Sequence, residues 1–152
     1  MVATYTATAV TTFPAPSKSD GSQFISFGSI SLTSTLTAND LVLLCNVPNG
    51  YKILSVILDS DALDSGASAA LKWNVGDSAA TSRFINQAAI GGGGSQQSNV
   101  AAATAYAYAV VTSGGNAGYT TIQAKCMTAA STFAAGYLRC LVELSIDNPS
   151  FA

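Results

Sequence analysis

The stretch YLRCLVELSID, Tyr137–Asp147, decides the fold class. In it Leu138, Cys140, Val142, Leu144 and Ile146 alternate with Tyr137, Arg139, Leu141, Glu143, Ser145 and Asp147. Successive side chains of a strand point to opposite faces, so this period of two predicts a strand with one buried and one solvated side. Leu141 is the single large aliphatic residue on the polar side. Upstream, YTTIQAKC (119–126) repeats the pattern, with Ile122, Ala124 and Cys126 on the apolar side. LVLLCNV (41–47) and KILSVIL (52–58) are apolar on both faces, as central or covered strands are. Between them Pro48, Asn49 and Gly50 form a strong turn signal, and the pair reads as a hairpin.

FISFGSISL (24–32), ALKWNV (70–75), TAYAYAVV (104–111) and the Thr-rich TYTATAVTTF (4–13) complete about eight strands separated by Gly, Ser and Asn breaks. No window gives a convincing helix. The expected architecture is an all-β, single-domain β-sandwich. FPAPSKSDGS (13–22) reads as a linker, which makes residues 1–22 an arm and residues 23–152 the sandwich domain. IGGGGSQQSN (90–99) reads as a flexible surface loop.

Composition narrows the function. The 152-residue, 15.4 kDa chain is 49% hydrophobic yet only 9% charged, against roughly 25% charged in ordinary soluble proteins. The longest strictly apolar run, Leu41–Cys45, is far short of the ~20 residues of a spanning helix. MVATYTATAV has neither the basic start nor the apolar centre of a signal peptide. The expectation is a soluble chain without a membrane partner, its polar surface built from Ser, Thr, Ala, Asn and Gln and partly covered by neighbouring subunits. With a net charge of −2 and six scattered basic residues, nucleic acid is not an expected partner.

LDSDALDSGASAALKWNVGD, Leu58–Asp77, carries four of the eight acidic residues. Read as a calcium loop from Asp59, it fails at its fifth, sixth and twelfth positions, which hold Leu63, Asp64 and Ala70. A looser oxygen cage of Asp59, Asp61 and Asp64 is the alternative. The preferred reading is a turn in which these three aspartates cap backbone groups while Leu63 anchors the loop beneath. The chain has no histidine, so the usual general base and metal ligand are missing together. Glu143 and Asp147 share a wet strand face, and GGGGSQQS lacks the Lys-Ser/Thr ending of a phosphate cradle. The chain is therefore expected to be no enzyme and to need no cofactor or metal. Cys45, Cys126 and Cys140 have no C-x-x-C spacing and fall on apolar strand faces, as free thiols in a reducing compartment do. Trp73, alternating with Leu71 and Val75, is expected in the core; Tyr106, Tyr108 and Tyr119 are the aromatics that could stack on a sugar.

The order of Asp40 before an apolar strand, Pro48 and Gly50 at a turn, then Ser60-Asp61-x-Leu63-Asp64-x-Gly66, Val75-Gly76-Asp77 and Arg83-Phe84 resembles small structural proteins of tailed-bacteriophage virions. The likeness runs from about Asn39 to Ile85, with the final strand in weaker support. It implies a jelly-roll cement or decoration protein, a homo-oligomer and often a trimer, bound to the major capsid protein of a phage shell after assembly in the host cytoplasm. It carries over no catalytic residue. The alternative is a glycan-binding or adaptor β-sandwich of a phage tail or fibre. Val42, Leu44 and Leu141 are the candidate interface residues, since a lone sandwich would expose one side of LVLLCNV. Residues 1–13 either clamp a neighbour's sheet edge or form an outer strand of their own domain.

Overall fold

The computed structural model describes residues 2–12, 17–19, 23–98, 108–109 and 118–146. Among the described residues, eleven strands and one short helix follow in chain order: β1 (Thr4–Thr6), α1 (Thr8–Thr12), β2 (Ser17–Ser19), β3 (Gln23–Leu32), β4 (Leu41–Pro48), β5 (Tyr51–Ala62), β6 (Lys72–Gly76), β7 (Ile85–Ala88), β8 (Gly92–Gln97), β9 (Tyr108–Ala109), β10 (Tyr119–Thr128) and β11 (Gly136–Ile146). They form a jelly-roll-like sandwich. One sheet has the order β1-β4-β10-β6-β7; the other runs β2-β3-β11-β5-β8, with β9 also paired to β5. From β3 to β6 each successive strand changes sheet, and β10 and β11 do the same.

The two most periodic segments are the middle strands. β10 lies antiparallel between β4 and β6, and β11 lies antiparallel between β3 and β5. Their inward residues, Ile122, Ala124, Cys126, Leu138, Cys140, Val142 and Leu144, are completely buried. Trp73, Leu71 and Val75 join them, with Phe84, Ile53, Leu58 and Leu63. Each large apolar side chain so enclosed contributes about 1.5–3 kcal/mol of transfer free energy. All three cysteines are free and buried. Burial pushes the Cys126 thiol up to about 11, with Asp40 nearby adding to the effect. The Cys140 thiol, hydrogen-bonded to Cys45 and enclosed by the core, is raised well above its ordinary value. Gly28 lets the sheets approach here, since a Cβ would collide with the Leu44 carbonyl.

Several expectations need correction. Pro48-Asn49-Gly50 makes a turn, with Gly50 at φ 85°, but not a hairpin: β4 and β5 belong to different sheets. Both are central strands, β4 between β1 and β10 and β5 between β11 and β8. The glycine run is no loop, because β8 pairs antiparallel with β5 from Gly92↔Ala62 to Gln97↔Ile57. Its glycines at φ 98° and 127°, Gly93 and Gly94, take left-handed geometry inside that edge strand. A helix does occur, in the Thr-rich segment: α1, where the Thr11 and Thr12 hydroxyls both donate to the Thr8 carbonyl. The segment read as an arm supplies edges to its own sandwich. β1 runs parallel to β4, with Thr4↔Leu41, and β2 runs antiparallel to β3. TAYAYAVV lies outside the described residues except for β9, and Tyr106 with it.

Candidate functional site

The acidic turn after β5 is a structural knot. Asp64 is 2% exposed, and its carboxylate accepts six hydrogen bonds. Three come from backbone N–H groups of its own loop, Gly66, Ala70 (2.7 Å) and Leu71. The other three come from the turn before β11: the Ser131 N–H (2.9 Å), the Ser131 hydroxyl (2.8 Å) and the Thr132 N–H (3.0 Å). Burial alone would raise this carboxyl, but the Ser131, Thr132 and Ala70 donors outweigh it and hold it well below the carboxylate range. Leu63 is buried beneath, as expected of an anchor. Such an environment is made of donors, which suits a fixed negative charge and leaves no lone pair directed at a cation.

The other motif acids play similar parts. Asp40 accepts from Ala3 N–H (2.8 Å) and Thr37 N–H (2.7 Å), fastening the chain's start to the head of β4. Burial opposes its ionisation, yet the Thr37 and Ala3 donors leave it lowered overall. Asp77 takes the Ala79 and Ala80 N–H groups and a two-pronged ion pair with Arg83, at 2.8 Å from Nε. These acids, which carry the motif, are spent inside the fold.

Asp59 and Asp61 differ. Both accept from Arg139 Nη1 at 2.9 Å, and Asp61 also caps the Tyr137 N–H at 2.8 Å. Of the three aspartates expected to cap backbone, Asp61 and Asp64 do so, whereas the described bond of Asp59 is to an arginine side chain. Arg139 lowers the Asp61 carboxyl, helped by the Tyr137 N–H, while Asp61 and then Asp59 raise the guanidinium. The guanidinium also sits 5.3 Å from the centre of the Tyr137 ring.

This cluster lies on the outer face of the β3-β11-β5-β8 sheet. Leu141 is on that face, part exposed, in a cross-strand row with Phe27 and Ile57. A depression of about 270 Å³ is lined by Phe27, Ile57, Asp59, Ser95, Arg139 and Leu141. Phe27 is 50% exposed and Tyr137 48%. Val42 and Leu44, by contrast, are fully buried in the core and have no surface to give a partner. The reason is a β-bulge: Cys45 pairs with Ile122 and Leu43 with Gln123, so Leu44 is an extra residue in β4. Val42, Leu44 and Cys45 all turn inward as a result, which simple alternation does not anticipate. Phe27 and Ile57 escape the sequence reading because neither FISFGSISL nor KILSVIL alternates cleanly enough to mark an outer face. The signal that could have found them is their shared register with Leu141.

No protein-family model matches the chain, and no curated protein matches it. Solved structures do. A chain of the Cyanophage Pam1 capsid asymmetric unit superposes with a TM-score of 0.70 and 28% identity, over 88% of this chain and 91% of that one. Its structural kin are phage capsid chains. A chain from the capsid of Ralstonia phage GP4 shares the fold at a TM-score of 0.75 and 16% identity, covering 96% of this chain and 99% of that one. The likeness to structural proteins of tailed-phage virions, first carried by residues 39–85, thus extends over nearly the whole chain.

Proposed function

We propose that this chain is a non-enzymatic cement or decoration protein, which binds neighbouring subunits of the major capsid protein in a phage shell and strengthens it. The observation that carries the reading is the near-complete two-way coverage by a chain of the Pam1 capsid, at 28% identity. Two features of the fold support it. Asp40, Asp64 and Asp77 serve as internal ties, which is the economy of a rigid building block. Three free, buried thiols suit assembly in a reducing host cytoplasm before release in the virion. The test is an inventory of purified particles by mass spectrometry, with copy number, beside particles lacking the gene. The expected result is recovery at a fixed ratio to the major capsid protein, with shells lacking the chain bursting at lower temperature. Absence of the chain from washed particles would overturn the reading.

A further inference from the structure

The two sheets are pinched together where Gly28 lies beneath Leu44 and Cys45, and two thiols meet there. Cys140, on β11, is the cross-strand partner of Gly28 on β3, and directly paired strand residues lie about 4.5–5.5 Å apart at Cα. A Cβ placed on Gly28 would collide with the Leu44 carbonyl and lie 3.2 Å from the Cys45 Cβ on β4. The backbone of one sheet therefore touches the other, well inside the usual separation of about 10 Å between packed sheets. Cys45 and Cys140 both turn into this gap, 1% and 0% exposed, and their thiols are hydrogen-bonded. Cys126 stands apart from the pair. The β10 residue opposite Cys45 is Ile122, and Cys126, four residues further on, is displaced by about 13 Å along the strand, more than a disulfide spans.

We propose that Cys45 and Cys140 are the site of an inter-sheet disulfide, formed within the folded chain by a small oxidant of the peroxide class. The sulfur of one thiol attacks a peroxide oxygen, so that an S–O bond forms and the O–O bond breaks. Hydroxide departs and takes the thiol proton, leaving as water. The second thiol then attacks the oxidised sulfur, expels its hydroxyl as a second water and closes the S–S bond. Two electrons pass from the sulfurs to hydrogen peroxide, which ends as two waters. Enclosure sets the rate and the selectivity. Burial holds Cys140 as the thiol rather than the reactive thiolate, so the reaction is slow. It also excludes bulky disulfides, whereas peroxide enters during brief local openings. The first sulfenic acid has its resolving partner already in contact, which favours the disulfide over further oxidation. The bond ties β4 in one sheet to β11 in the other and closes a loop of roughly 100 residues, long enough to constrain the unfolded chain strongly. On the reading above, the thiols stay reduced during assembly and the link closes after the particle leaves its host; the chemistry itself requires no shell.

The test uses the isolated full chain, purified with reductant, desalted and exposed to hydrogen peroxide at neutral pH while circular dichroism follows the fold. After an acid quench, denaturation and alkylation, mass spectrometry counts the remaining thiols and maps the linked peptides. The expected result is a Cys45–Cys140 link with Cys126 alone alkylated, and a melting temperature higher by about 5–10 °C that dithiothreitol reverses. Cys140→Ala is expected to melt at one temperature with and without peroxide; should it fail to fold, the map of the wild-type link decides alone. A link that includes Cys126, a link between chains, sulfinic or sulfonic acid in place of the link, three thiols left intact, a link formed only in denaturant, or one that lowers the melting temperature would overturn the proposal. Because no shell is present, its failure leaves the capsid role standing, and absence of the chain from particles leaves the link standing.

Discussion

Asp61, near the end of β5, and Asp64, in the turn after it, stand three residues apart with lowered carboxyls, yet they belong to different physical regimes. Asp64 is enclosed, with six donors fixed by two separate turns. The Asp61 side chain is 40% exposed and shares a part-exposed guanidinium with Asp59. Removing the first charge strands several enclosed donors; removing the second leaves Arg139 still paired with Asp59 and an exposed Tyr137 N–H that water can reach. The lesson is that a carboxylate's worth depends on what its loss strands.

The sharpest way to break that contrast is substitution. Asp64→Asn turns an amide toward a nest of N–H donors and is expected to lower the melting temperature by about 10 °C or more. Asp61→Asn should cost about 1–2 °C. Equal losses in thermal scans by circular dichroism would refute the distinction.

Acid titration is the next largest effect. The Asp64 and Asp40 carboxyls lie below their unfolded value of 3.8, so each contributes stability that is complete above that value. The unfolded chain takes up protons first as pH falls, and the contribution drains away between 3.8 and the depressed folded values. Melting temperature should be nearly flat from pH 7 to about 5 and fall steeply below about 4. The Asp64→Asn protein should show a shallower fall; an identical slope would remove Asp64 as the cause.

Gly66→Ala refines the picture. A Cβ there meets the Ser131 hydroxyl and presses on the Asp64 carboxylate, so the knot must loosen without losing its charge. A drop of about 4–8 °C, between the two aspartate variants, is expected in the same scans. The smallest effect is that of salt. At 1 M, where screening acts over about 3 Å, Asp59→Asn and wild type should differ by less than 1 °C, because Arg139 and Asp59 are a third or more exposed.

Much of the fold was legible in the sequence. The alternation in β10 and β11 located the two central strands and their buried faces, and Trp73 fell where its neighbours Leu71 and Val75 placed it. Long-range choices were not legible. Nothing local says that Asn49-Gly50 passes the chain between sheets, since the turn looks the same whichever strand receives Tyr51. The β4 bulge is hidden too, because LVLLCNV is apolar at every position but Asn46 and offers no alternation to break. For the site, the turn around Asp64 was readable as capped, but its strongest donors lie 67 and 68 residues away. Leu141 announced the outer face, while Phe27 and Ile57 needed the register to join it.

The position of β10 and β11 bears on how the chain comes into being. Synthesis runs from the N-terminal side, yet the strands that unite β4 with β6 and β3 with β5 come after all four of them in the chain. Until Tyr119 and its successors emerge, only side pairs such as β1 with β4, β2 with β3, β6 with β7 and β5 with β8 can close. The apolar faces of β3, β4, β5 and β6 therefore wait for β10 and β11, through pairings of high sequence separation that form slowly.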